Sequence, residues 1–80
     1  MHLIIISSTK TILDDNNIES VSFPGSQGNF QVLKNHINLV SQLVCGNINY
    51  VYKGEKEKKK LEITNGIATI HNNTIVVILD

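Results

Sequence analysis

The stretch NGIATIHNNTIVVILD, residues 65–80, carries the plainest statement of the fold. Ile67–His71 and Thr74–Leu79 are short runs of β-branched residues, and Asn72-Asn73 separates them. Two such runs joined by two turn-forming residues read as a β-hairpin. Asn65-Gly66 ahead of it reads as a turn or a bulge. Branched side chains are stiff at χ1 and pack well on a pleated surface.

The same grammar extends back along the chain. Asn47–Lys53 alternates, with Ile48, Tyr50 and Tyr52 on one face. Gly54 with Glu55 turns it into Glu57–Thr64, where Leu61 and Ile63 face the core. Asn29–Leu33 sets Phe30 and Val32 on one side, and the end of Ile18–Phe23 does the same with Val21 and Phe23. Between those two segments, Pro24-Gly25-Ser26-Gln27-Gly28 is a loop: Pro fixes φ, and each Gly permits a positive one. Leu3–Ser7 is a continuous apolar strand, Ser8-Thr9-Lys10 turns the chain, and Thr11-Ile12-Leu13 begins a second strand. Asp14-Asp15-Asn16-Asn17 is a cluster of turn formers. Leu33 to Cys45 stays open on pattern alone. Leu33, Ile37, Val40 and Val44 recur at helical spacing, and Asn35 is a helix-cap candidate, so a helix fits as well as a strand. The expected fold is all-β, a flattened sandwich or barrel of about eight to ten short strands in one domain over residues 1–80.

Composition bounds the function. An 80-residue chain buries only roughly 60% of its unfolded surface. With no Trp, two Phe and two Tyr, the core is aliphatic. Isoleucine is expected to dominate it, at positions 4, 5, 6, 12, 18, 48, 63, 67, 70, 75 and 78. Net charge is zero, so nothing draws the whole chain to nucleic acid or anionic lipid. All seven basic residues are Lys, which removes bidentate guanidinium recognition of phosphate. Cys45 is alone and builds neither a disulfide framework nor a zinc cluster within the chain.

No catalytic constellation is legible. His2, His36 and His71 lie far apart with no carboxylate at a telling spacing, and no metalloprotease, thiol-pair, nucleophile-elbow or phosphate-loop motif occurs. Asp14-Asp15 reads as turn chemistry, since adjacent residues point different ways. The expectation is no catalytic residue, no metal and no cofactor. Lys56, Lys58, Lys59 and Lys60 form the one basic run, with Glu55, Glu57 and Glu62 interleaved. It reads first as a solvated hairpin that protects a sheet edge. The alternative is a stand-alone barrel that binds nucleic acid through this hairpin. It lacks exposed paired aromatics, because Tyr50 and Tyr52 point inward.

One ordered set of residues goes further. Pro24-Gly25-Ser26-Gln27-Gly28-Asn29-Phe30-Gln31-Val32-Leu33 is followed by His36, Leu39, Leu43 and Gly46. It resembles the signature of the epsilon subunit of rotary ATP synthases: V-x-x-P-G, a G-x-x-G-x-F loop, a histidine segment, then L-L-x-x-L-x-x-G. Leu3–Ser7, Ile18–Val21, Asn65–Ala68 and Thr74–Asp80 match the family's other strands, so the likeness runs the whole chain. It departs where the family has Gly at Gln31, Pro-Gly at Lys34-Asn35 and Ala-Pro at Ile37-Asn38. Asn35 can adopt the left-handed conformation a Gly would use.

The resemblance implies a loop and then a short strand over residues 33–45, with a single helical turn near Leu39–Leu43 at most. It implies a non-catalytic rotor subunit of the central stalk, linking the gamma subunit to the c-ring and coupling proton flow to ATP synthesis. The partners implied are gamma and the c-ring, not nucleic acid, with the membrane met only through the ring. The location implied is peripheral, on the cytoplasmic face of the bacterial inner membrane. Ser26, Gln27, Gly28, Asn29 and Phe30 match the c-ring contact, and Ser7, His36, Ile37, Leu39 and Ser41 match the gamma contact. The chain stops at Asp80, where the family's first domain ends, so its C-terminal two-helix domain, helix-mediated inhibition and nucleotide site are expected to be absent.

Overall fold

A computed structural model describes residues 1–36 and 38–80. Nine strands run in chain order: β1 His2–Ile6, β2 Thr11–Asp15, β3 Ile18–Gly25, β4 Gly28–Val32, β5 Leu39–Leu43, β6 Gly46–Tyr52, β7 Lys59–Ile63, β8 Gly66–His71 and β9 Thr74–Leu79. None of the described residues is helical. The Leu33–Cys45 ambiguity thus resolves against the helix. Leu39, Ser41 and Leu43 turn inward while Val40 and Gln42 face out, which is the period of a strand.

The strands form one curled sheet in the order β2-β1-β9-β8-β5-β3-β6-β7, with β4 on β3. Every pairing is antiparallel except β1 with β9. The sheet folds over on itself at one corner. There β5 meets β3 through the single pair Gly25↔Leu43. Two further bonds stitch that corner, Ser26 N–H to the Gln42 carbonyl at 2.9 Å and Val44 N–H to the Pro24 carbonyl at 2.9 Å. The result is two leaves, β2-β1-β9-β8-β5 and β4-β3-β6-β7, facing each other across one core.

Alternation fills that core. Leu3, Ile5, Leu43, Ala68, Ile70, Ile75 and Val77 enter from the first leaf, and Ile18, Val21, Phe23, Val32, Ile48 and Ile63 from the second. Each large side chain removed from water contributes roughly 1.5–3 kcal/mol. The expected isoleucine core is only partly realised. Ile12, Ile67 and Ile78 are exposed, and Ile4 and Ile6 half-buried, because the strand period turns them to the outer surface of the first leaf.

Two turns rest on asparagine. Asn72 and Asn73 have φ of 49° and 61°, the double left-handed turn that matches strand twist in a tight hairpin. Asn35 sits at φ 65°, as its position in the sequence leads one to expect. Gly25 is needed for a different reason from the expected positive φ. A Cβ there would lie 2.7 Å from the Gly28 carbonyl oxygen and 2.8 Å from the Phe30 ring. Gly25→Ala must therefore displace backbone and ring together, and urea unfolding is expected to register a loss of about 1–3 kcal/mol at an unchanged m-value.

Candidate functional site

The molecule presents two unlike outer surfaces and one projecting hairpin. The hairpin is β3–β4, closed by the pair Gly25↔Gly28 around Ser26-Gln27. Ser26, Gln27, Gly28 and Asn29 are exposed at its tip. Phe30 is half-buried and roots the hairpin, its ring 5.4 Å from that of Phe23. The sequence-predicted c-ring residues therefore form one contiguous tip on a rigid base.

Beside that tip lies the outer surface of the second leaf. Ser22 pairs with Gln31 on one side and Asn49 on the other, and Pro24 pairs with Asn29. A shallow cleft of about 310 Å³ is lined here by Ser22, Phe23, Pro24, Asn29, Cys45, Gly46, Asn47 and Asn49. Its polar groups are uncharged amides and a hydroxyl. Such a surface binds through neutral hydrogen bonds, which salt screens little.

The outer surface of the first leaf is its opposite. Register aligns Ile4, Val76, Thr69 and Val40 in one row across β1, β9, β8 and β5. Ile6, Ile78, Ile67 and Gln42 form the next. Val40 is 70% exposed, Ile78 58% and Ile67 50%. Contiguous exposed apolar side chains on one sheet mark a surface that another protein covers. The sequence reading missed this patch by assigning its isoleucines to the core.

The residues matched to the gamma contact do not all gather there. His36 stands in the β4–β5 loop, and Leu39 and Ser41 are half-buried on the inward side of β5, flanking the exposed Val40. Ser41 shares a row with Ala68, Val77 and Ile5. Ser7 lies beyond the far end of β1, its N–H donating to the Lys10 carbonyl at 2.9 Å. Ile37 is outside the described residues.

Charge is sparse and peripheral. His2 meets Asp14 on the neighbouring strand, Nε2 to Oδ1 2.5 Å, a partnership the sequence reading did not anticipate. Asp14 and Asp15 themselves belong to β2; the turn proper is Asn16-Asn17. In the basic hairpin Lys59 donates to Glu57 at 2.8 Å. That bond holds the Glu57 carboxyl below its ordinary pKa and the Lys59 ammonium above its own. β7 is an edge strand, as the lysine pattern led us to expect. Tyr50 and Tyr52 are half-buried and pack edge-to-face on each other, ring centroids 5.8 Å apart. Among the described residues no three His, Cys, Asp or Glu side chains cluster as metal ligands, and no helix is long and apolar enough to cross a membrane.

Comparison with known proteins meets this geometry from outside. The family model for the ATP synthase Delta/Epsilon chain β-sandwich domain matches residues 1–80. An ATP synthase epsilon chain of Campylobacter concisus is 36% identical over 80 residues, covering all of this chain and 60% of that one. One from Leptospira interrogans is 37% identical over 75 residues, covering 94% and 58%. The chain thus spans under two thirds of the length of these relatives. Among solved structures, the Euglena gracilis mitochondrial ATP synthase contains a chain that superposes with a TM-score of 0.89 at 23% identity, covering 96% of this chain and 48% of that one. A central stalk and c-ring structure from Tetrahymena thermophila gives 0.83 at 13%, covering 99% and 62%. At these identities the two structures speak for the fold alone.

The His2–Asp14 pair is exposed on both sides. A double-mutant cycle with His2→Ala and Asp14→Ala, read by thermal unfolding, is expected to return a coupling of no more than about 1 kcal/mol.

Proposed function

Because this chain belongs to the family of ATP synthase delta/epsilon chain β-sandwich domains, we propose that it is a non-catalytic central-stalk component of an ATP synthase, holding the gamma subunit to the c-ring. The observation that carries this reading is the pairing of unlike surfaces on one stiff body. A component that transmits rotation needs two simultaneous contacts and no reactive group. It also needs a body that does not shear between them, and a close-packed sandwich resists deformation.

The hairpin tip of Ser26, Gln27, Gly28 and Asn29, rooted by Phe30, is the ring contact. Its uncharged surface suits polar loops and makes the contact weakly dependent on salt. The apolar outer surface of the first leaf is the larger part of the gamma contact, with His36 in the β4–β5 loop and Ser7 beyond the end of β1 added to it; Ile37 joins them by its match to the family, and Leu39 and Ser41 support it from the inward side of β5. Apolar burial supplies the affinity there, at roughly 25 cal/mol per Å² before the costs of association. In this arrangement proton flow turns the ring and the sandwich passes the torque to gamma. The chain then sits peripherally, on the cytoplasmic face of a bacterial inner membrane, touching lipid only through the ring.

Two variants separate the contacts. Val40→Asp with Ile67→Asp alters exposed side chains only, and it is expected to abolish co-purification with gamma while the thermal midpoint holds. Asn29→Lys is expected to leave the gamma complex intact and to uncouple ATP hydrolysis from proton pumping in reconstituted vesicles. Undiminished pumping per ATP in the second case removes the ring assignment, and survival of the gamma complex in the first removes the other. Deleting Ser26-Gln27 is a poorer probe, since it eliminates the turn that closes the hairpin.

A further inference from the structure

At one end of the sandwich two loops that are distant in sequence are tied by their asparagines. The Asn35 N–H donates to Asn73 Oδ1 at 2.6 Å, and Asn73 Nδ2 donates back to Asn35 Oδ1 at 3.3 Å. Beside them the Asn72 N–H donates to Asn38 Oδ1 at 3.2 Å. The Asn73 carbonyl accepts from the His2 N–H at 3.0 Å, which anchors the turn to the start of β1. Asn35, Asn72 and Asn73 all hold positive φ.

The β8–β9 turn does not need these side chains. A two-residue turn with both φ positive closes through its own backbone, and Gly serves there at least as well as Asn. The Asn73 amide is instead committed to the neighbouring loop. The two ties fall on either side of His36: Asn35 precedes it and Asn38 follows it. The His36 N–H also donates to the Leu33 carbonyl at 3.1 Å. A surface loop of this length ordinarily samples several conformations, and ordering it on binding costs affinity. Here Asn35 and Asn38 are already tied to the neighbouring turn.

We infer that Asn73 and Asn38 are positioning residues whose side-chain amides hold the backbone on either side of His36 in place for a protein partner. The inference rests on the reading that this loop borders the gamma contact. No single element supplies the device, because its halves are 38 and 34 residues apart in sequence.

Asn73→Gly keeps the turn's positive φ and removes the amide. Asn73→Asp keeps an acceptor for the Asn35 N–H. Amide exchange of the isolated chain is followed residue by residue, and association with purified gamma is followed kinetically. With Asn73→Gly, exchange at Asn35 is expected to rise about tenfold and the association rate with gamma to fall by a similar factor, the yield of two lost hydrogen bonds. Amides of β1 and β9 should exchange as before. Asn73→Asp should restore most of both quantities. Asn35→Gly added to Asn73→Gly should change either by less than about twofold, since both remove the same tie. Unchanged exchange at Asn35 overturns the tie itself. Fast exchange with a wild-type association rate overturns the positioning role and leaves the gamma reading standing. An unmodified chain that does not bind gamma at all overturns both.

Discussion

The contact between Gly25 and Leu43 is the constraint on which the rest of the structure depends. Among the described residues it is the one register pair between the two leaves, and two backbone hydrogen bonds from Ser26 and Val44 reinforce it, while Met1 and Ile18 exchange two more bonds between the leaves elsewhere. Gly25 lies so close to the Gly28 carbonyl and the Phe30 ring that no side chain fits. Gly46, across the same corner, is closed by Pro24, whose Cβ would stand 2.9 Å from an added methyl group. A sheet of nine twisted strands has no reason to close on a given line. These small residues fix where it does, and so fix which side chains share a core. They also root the β3–β4 hairpin, whose tip would otherwise move independently of the sandwich.

Closing the sheet there sorts the outer surface as well. Strands β1 and β9 carry apolar residues on both faces, so the first leaf is apolar within and without. Strands β3 and β6 alternate apolar with Ser or Asn, so the second leaf is apolar within and polar without, neutral over β3 and β6 and charged at Lys60 and Glu62 of β7. The two outer surfaces therefore associate by different physics. One gains by removing water from hydrocarbon, and the other by exchanging hydrogen bonds.

Much of this was legible in the residues. The Asn72-Asn73 hairpin, the Asn35 turn, the inward faces of β6 and β7 and the lysine-protected edge all follow from local rules that the fold obeys. What escaped was non-local. Leu33, Ile37, Val40 and Val44 fit a helical period by coincidence; the family resemblance implied a short strand there, and the pairing of β5 with β8 bears it out. The outer isoleucines look like core in the sequence because a continuous apolar run is the signature of a doubly buried strand. The His2–Asp14 pair and the asparagine ties join residues whose proximity is created by topology. For the site, the hairpin tip was legible because its residues are consecutive. The apolar patch was not, because its residues come from four strands.

The charged edge of β7 bears on the time the chain spends alone. On its own, the chain carries its broad apolar surface bare. Any regular strand left open at the rim would then offer a template on which copies could stack. At β7 that rim is Lys59, Lys60 and Glu62, with Lys58 beside it. Like charges set in register repel, and desolvating ammonium groups between strands is costly. The lysine run thus discourages stacking for as long as the apolar surface is uncovered.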